Sequence, residues 1–334
     1  MTQRTLEGTP SWQTALKNLI TEPEDLLKRL ELDEKWLKPA RSAAALFPLK
    51  VTESFVRRIR PGDPKDPLLL QILPLQAEHR IVEGYTTDPL EETKANPVPG
   101  LIHKYHGRVL LIAATHCAIH CRYCFRRHFP YEDNRPNRKE WDNALAYIKG
   151  KPDIHEVILS GGDPMALSDR HLIWLCEQLA DIAHVKTVRI HTRLPIILPE
   201  RITDTLTKSF ATSRLQFVCV VHSNHAQELD HAVEEALSRL KRANVHLLNQ
   251  SVLLRGINDS PEALIGLSHT LFSMGVLPYY LHAMDRVAGA AHFDVSEDKT
   301  KDLMAKLRDS LPGYLVPRWV KEEPSAASKT LLAY

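Results

Sequence analysis

Residues 115–130 read THCAIHCRYCFRRHFP, and three cysteines, Cys117, Cys121 and Cys124, stand four and three residues apart within them. Thiolates at this spacing on one loop can point at a common centre, and their crowding argues for metal or redox chemistry. Three readings are open. A structural zinc takes four ligands, and His116, His120 or His128 could supply the fourth. An electron-carrying iron–sulfur protein normally takes four cysteines, and no fourth lies nearby. A [4Fe–4S] cluster on three cysteines leaves one iron open to chelate a small molecule. The spacing favours this third reading, and the aromatic Tyr123 before the last cysteine adds to it. The remaining cysteines, Cys176 in IWLCEQL and Cys219 in FVCVV, read as buried core thiols.

Such a loop needs a scaffold, and the rest of the chain describes one. The 334 residues are 43% hydrophobic and 25% charged. That balance fits a globular protein with a substantial core. A formal charge of +2 gives no electrostatic case for nucleic acid or a membrane surface. The N-terminus lacks a signal-peptide pattern, and the apolar run PLLLQILPL is too short to span a bilayer. These features point to a soluble cytoplasmic protein.

Residues 1–100 read as a helical and irregular extension, with TPSWQTALKNLI and TEPEDLLKRLEL as capped helices and then proline-rich turns. From residue 108, apolar runs alternate with amphipathic segments. The expected strands are 108–115, 156–161, 187–193, 215–222, 245–254 and 277–283. Six strand–helix units predict an α/β fold with a parallel sheet. It is either a doubly wound sheet or an open partial barrel, a (β/α)6 version of the eight-unit TIM type. Both put the site at the carboxyl ends of the strands. The cysteines follow the first of these strands, SGGDP the second, HTR ends the third, and MD follows the sixth. The expected divisions are an extension over 1–100, the barrel over 101–320 and a tail over 321–334, mobile without ligand.

Cys-x3-Cys-x-aromatic-Cys at the end of the first strand resembles the signature of the radical S-adenosylmethionine enzymes. The resemblance implies a [4Fe–4S] cluster on Cys117, Cys121 and Cys124. Its open iron takes the amino and carboxylate groups of S-adenosyl-L-methionine, with Tyr123 among the cofactor contacts. SGGDP resembles the family's glycine turn, so Gly161, Gly162 and Asp163 are expected to contact that amino group. Over most of the chain the likeness narrows to the lysine 2,3-aminomutase family. It is carried by DPLLLQILP, PGLIHKYHGRVLL, HCRYCFRRHF, LSGGDPM, RIHTRLPIILPERI, LLNQSVLLRGIND, PYYLHAMD and the terminal SKT. CRYCFRRHFPY, YYLHAMDRVAGAAHF and the short C-terminus look most like the subgroup that makes (R)-β-lysine for elongation factor P.

That likeness implies a second cofactor, pyridoxal 5′-phosphate, anchored on Lys329; without the resemblance Lys329 would read as a solvated tail charge. It also implies Arg108 at the coenzyme phosphate, and Gln250 and Ser251 near the cofactors. Arg126 is expected at the substrate carboxylate, and Asp285 and Glu322 at the far ammonium of L-lysine. Arg193 and His222 could contact cofactor or substrate. Arg127 divides evenly between a site role and a loop salt bridge. An external electron donor of the flavodoxin or ferredoxin type is implied, with a functional link to elongation factor P and its lysine-ligating enzyme. The chain ends five residues after Lys329. It therefore lacks the family's longer cysteine-bearing extension, so no structural zinc and a dimer or monomer are expected. The alternatives are an aminomutase for another amino acid, or a non-catalytic zinc or iron–sulfur protein.

Overall fold

The computed structural model describes residues 11–130, 138–324 and 326–332. The strands are β1 (Leu101–Tyr105), β2 (Arg108–Ala114), β3 (Glu156–Gly161), β4 (Thr187–Thr192), β5 (Gln216–His222), β6 (His246–Val252), β7 (Leu277–His282), β8 (Arg318–Lys321) and β9 (Thr330–Leu331). All the expected strands form, β2 to β7, and they pair in parallel. β3 is buried on both faces, with five consecutive residues from Val157 to Gly161 buried, while β4 and β6 alternate buried with less buried positions. The intervening helices start where the sequence supplies a cap. Ser168, Thr203, Asp230, Ser260 and Ser296 each accept a hydrogen bond from a first-turn amide.

The strand order decides between the two architectures. It runs from β1 to β9 without reversal. A doubly wound sheet reverses its order at a switch point, so this sheet is a partial barrel. Its edges approach each other: Tyr105 of β1 donates its hydroxyl to Glu322 Oε1, just past β8, at 3.1 Å.

The structure extends the expected six units. β8 adds a seventh parallel strand, and β1 and β9 flank the sheet antiparallel. RWVK carries too little pattern to stand out alone, and β9 exists only because β8 supplies its partners. The tail is also better tied than expected. Leu332 N–H donates to Trp319 O at 3.0 Å, and Thr330 Oγ1 donates to Glu323 Oε2 at 2.6 Å.

At the N-terminal side, Ser11 caps the helix Trp12–Lys17 as expected. The helix Pro23–Arg29 has no side-chain cap and starts on its proline instead. The extension shares one core with the barrel, in which Leu26, Phe55 and Leu69 join Leu111, Leu159 and Ile196.

Candidate active site

The cysteine loop leaves the end of β2 and is gripped by the N-terminal extension. His120 N–H donates to Lys50 O, and Arg122 N–H to Gln71 O. The Arg122 side chain, with no exposed surface, forks onto Glu78 through Nε at 2.9 Å and Nη2 at 2.6 Å. Its Nη1 reaches Phe47 O at 2.7 Å. Arg127 joins the same carboxylate, Nη2 to Glu78 Oε2 at 2.8 Å. The structure thus gives Arg127 the loop salt-bridge role. Sequence reading passed over Glu78, whose signal is faint: one acid among the polar residues of LQAEHR.

The three thiols lie within electrostatic reach of one another. Burial pushes the Cys117 thiol well up, and Asp163, Cys124 and Cys121 add to it. Cys124 is pushed up to about 12, by burial first and Cys121 next. Clustered thiols of this kind need metal cations to hold them as thiolates. Among the described residues, no three His, Cys, Asp or Glu side chains converge tightly enough for a single ion. Two of the neighbouring histidines are tied to backbone by one ring nitrogen each: His120 Nδ1 donates to Pro48 O and its ring stacks on Phe47, and His128 Nε2 donates to Ala288 O at 3.2 Å. Cys176 and Cys219 are buried as expected.

The glycine turn after β3 abuts this loop. A Cβ on Gly161 would stand 2.5 Å from Ala114 O, and one on Gly162 2.5 Å from His116 O. The Gly162 and Asp163 amides are engaged by Ala114 O and His116 O, so the turn cannot offer them to a ligand. The Gly162 carbonyl accepts no hydrogen bond from the described residues, which suits an amino group as donor. The Asp163 side chain serves the scaffold. Its buried carboxylate is filled by the Met165, Arg193 and Leu194 amides and by Thr192 Oγ1. It joins the ends of β3 and β4.

Tyr123 is buried beside the cysteine loop. Its ring stacks on His222, and its oxygen lies within hydrogen-bond distance of Gln71, His222, Arg193 and Asn224. Arg193, at the end of β4, donates from Nη1 to Cys121 Sγ at 2.7 Å and from Nη2 to Gln71 Oε1 and Glu228 Oε2. Gln71, Asn224 and Glu228 were not anticipated. A lone Gln inside the apolar run PLLLQILPL was the available signal for the first.

A second group of charges sits beside the cluster loop. Arg126, buried, forks onto Glu92 with Nε at 2.8 Å and Nη2 at 2.7 Å. Its Nη1 reaches Ser160 Oγ and Gly161 O. Glu92 follows Glu91, a non-glycine residue in the left-handed region at φ 48°. Glu322 accepts hydrogen bonds from Lys329 Nζ and the Tyr105 hydroxyl. Burial alone would raise the Glu322 carboxyl, but the Lys329 ammonium brings it down to about 2. Asp285 goes the other way. Burial and then Glu322 push it up to about 7, against the pull of Lys329 and Arg126. One electrostatic neighbourhood therefore holds Arg126, Glu92, Asp285, Glu322 and Lys329. An open cavity of ≈ 1100 Å³ has Asp285, Glu322, Thr86 and Leu90 in its lining. That is ample for small-molecule ligands.

Two histidines lie near Lys329. Burial, and then the Lys329 charge, holds His282 down at about 3. Burial, then Arg189 and Lys329, holds His191 far below its usual range. Nε2 of each is buried without a partner among the described residues. Neutral, unpaired ring nitrogens beside a lysine suit a bound polar group. Arg108 lies over the Tyr105 ring at 4.7 Å, at the start of β2. Gln250 is half-buried on β6 between His222 and Tyr280. Its neighbour Ser251 points to the other face, where Oγ donates to Ser223 O at 2.8 Å and the side chain lies against the helix Pro261–Ser273. Strand alternation removes Ser251 from the cofactor side.

Residues 111–267 match the Radical SAM superfamily. The chain is 49% identical to the L-lysine 2,3-aminomutase of Escherichia coli over 97% of its own length and 96% of that protein. It is 47% identical to the Haemophilus influenzae L-lysine 2,3-aminomutase, again over 97% and 96%. With that of Clostridium subterminale it shares 34% identity over 96% of this chain and 77% of the other. With a thiol triad on the loop after the first parallel strand, a glycine turn at the end of the second and likeness along nearly the whole length, the chain belongs to the lysine 2,3-aminomutase family of the radical SAM superfamily.

Proposed function

We propose that this protein is an isomerase that converts L-α-lysine to (R)-β-lysine, with a [4Fe–4S] cluster, S-adenosyl-L-methionine and pyridoxal 5′-phosphate as cofactors. The observation that carries the reading is the pairing at two ends of one site. Arg126 holds a carboxylate, that of Glu92, and Glu322 holds the ammonium of a lysine, that of Lys329. Those are the two groups by which free lysine would be gripped. A guanidinium fork on a carboxylate is directional, so Arg126 fixes the amino-acid end. Glu322 and Asp285 receive the far ammonium.

When bound, the cluster and S-adenosylmethionine supply a carbon radical that removes hydrogen, and pyridoxal phosphate carries the migrating nitrogen. The chain's own share is positional. Cys117, Cys121 and Cys124 hold the irons, the Gly162 carbonyl receives the amino group of S-adenosylmethionine, and Lys329 anchors the coenzyme with Arg108 at its phosphate. The curled sheet, whose edges Tyr105 and Glu322 tie together, sets these groups around one site. The product supplies the modification of elongation factor P in the cytoplasm, the electron comes from a small flavin or iron–sulfur protein, and the chain works as a dimer or monomer. The cysteine-bearing barrel (101–320) and the tail carrying Lys329 (321–334) divide the cofactors between them.

Anaerobically reconstituted, reduced protein incubated with lysine is expected to yield β-lysine, identified by chromatography on a chiral phase. Recovery of unchanged α-lysine, with intact cluster and coenzyme, overturns the assignment. The pH dependence follows from Asp285. A carboxyl raised to about 7 is protonated below that pH and cannot pair with the ammonium. We expect kcat/KM for lysine to rise as pH increases through about 7, and further up the scale once coenzyme attachment removes the Lys329 charge. Asp285→Asn flattens that limb; an unchanged limb in the variant removes Asp285 from the role.

A further inference from the structure

We propose that Arg193 and Glu228 form a charge-compensated hydrogen-bond relay that sets the reduction potential of the cluster through the sulfur of Cys121. The inference rests on the iron–sulfur reading of the cysteine loop and concerns residues outside that loop.

The geometry is specific. Arg193 is buried, yet it gives Nη1 to Cys121 Sγ at 2.7 Å rather than to a carboxylate. Both terminal nitrogens have further partners. Nη1 also meets Tyr123 Oη at 2.8 Å, and Nη2 meets Gln71 Oε1 at 2.6 Å and Glu228 Oε2 at 3.0 Å. The backbone is fixed as well, its amide on Asp163 Oδ2 at 2.7 Å. Glu228 has no exposed surface. Its Oε1 accepts from Gln71 Nε2 and from the amides of Asn224 and His225. The donor is therefore aimed by two elements, the end of β4 and the turn after β5, at one sulfur of the three.

The chemistry follows from charge. Reduction adds one electron to the cluster, and its sulfurs become better acceptors. A hydrogen bond to a ligand sulfur stabilises the reduced form and raises the potential. Glu228 works against this, because its negative charge offsets the guanidinium in a low-dielectric setting. The pair thus delivers a directed N–H with little net charge. A net positive charge at that distance would ease reduction of the cluster but make it a weaker reductant. Removing the two partners must then move the potential in opposite directions.

The test is a mediator-coupled potentiometric measurement on anaerobically reconstituted holoprotein, with dithionite as electron source and the reduced cluster followed by electron paramagnetic resonance. Iron and sulfide are assayed for each sample. Arg193→Gln is expected to lower the reduction equilibrium by about tenfold, which for one electron is about 59 mV to the negative. Glu228→Gln is expected to shift it to the positive. Arg193→Lys, which keeps the charge, lies between Arg193→Gln and the parent. Shifts of the two glutamine variants in the same direction, or no shift in either at full iron content, overturn the proposal. If Arg193→Gln does not retain iron, Arg193→Lys and Glu228→Gln decide, and equality with the parent overturns it. A parent protein that takes up no iron and sulfide defeats the cluster reading itself, and the relay with it.

Discussion

Glu78→Ala is expected to destabilise the cofactor-free protein by about 3–5 kcal/mol, the cost typical of stranding a buried charge. Glu78 has an almost fully buried carboxylate that serves two guanidinium groups. Oε1 accepts from Arg122 Nε and the Leu75 amide, and Oε2 from Arg122 Nη2 and Arg127 Nη2. The Arg122 and Arg127 side chains are 0% and 1% exposed, so neither can turn to water when the acid is gone. A loss of that size is a large fraction of the ordinary 5–15 kcal/mol of a folded domain, taken as an order of magnitude. It also falls on the cluster. Arg122 follows Cys121 and Arg127 lies three residues past Cys124, so the loop loses its tie to the extension. We expect a lower urea midpoint and, at equal protein, less iron retained after reconstitution. Adding Arg122→Met recovers part of the midpoint, because it removes one of the stranded charges. A midpoint and iron content equal to the parent's would show that the two arginines are held by their backbone contacts alone.

The contrast between Cys121 and Glu78 shows what sequence can carry. The thiol triad was legible because its spacing is local, and so were β2 to β7, whose apolar and β-branched residues recur along each short run. The same is true of the helix Trp12–Lys17, whose cap Ser11 bonds an amide three residues on. What was not legible is what comes together over long separations. Glu78 meets Arg122 across 44 residues, Glu92 meets Arg126 across 34, and Glu228 meets Gln71 across 157. Nothing in the neighbouring sequence marks a carboxylate as destined for burial. Asp163 carries a role of the same hidden kind: four donors of the chain itself fill its carboxylate. Ser251 was placed near the cofactors beside Gln250, although two adjacent strand residues must face opposite ways. β8 and β9 were missed for a third reason: short strands are defined by their partners and carry little pattern of their own.

Lys329→Ala is expected to abolish both catalysis and the coenzyme adduct that borohydride traps, since the proposed covalent link needs an amine at that position. The structure adds a second role that a mass measurement alone would not reveal. In the cofactor-free protein the Lys329 ammonium sits on Glu322 and holds that carboxyl at about 2 instead of its ordinary 4.5. A carboxyl depressed on folding contributes stability that is present above its unfolded value and lost as pH falls through the folded one. The Lys329–Glu322 pair therefore stabilises the cofactor-free protein above about pH 4.5 and fades toward pH 2. Lys329→Ala should lose that contribution, so the difference in urea midpoint from the parent is expected at pH 6 and should shrink on acidification. Lys329→Arg separates the two roles. Its guanidinium keeps the ion pair and the acid-sensitive stability but cannot form the coenzyme link, so it is stable and inactive. Should borohydride still fix the coenzyme to another lysine of the Lys329→Ala protein, the anchor lies elsewhere and Lys329 is a structural partner of Glu322 alone. Should the adduct vanish while the midpoint stays at the parent's value at both pH values, Lys329 is the anchor and the ion pair contributes nothing to folding.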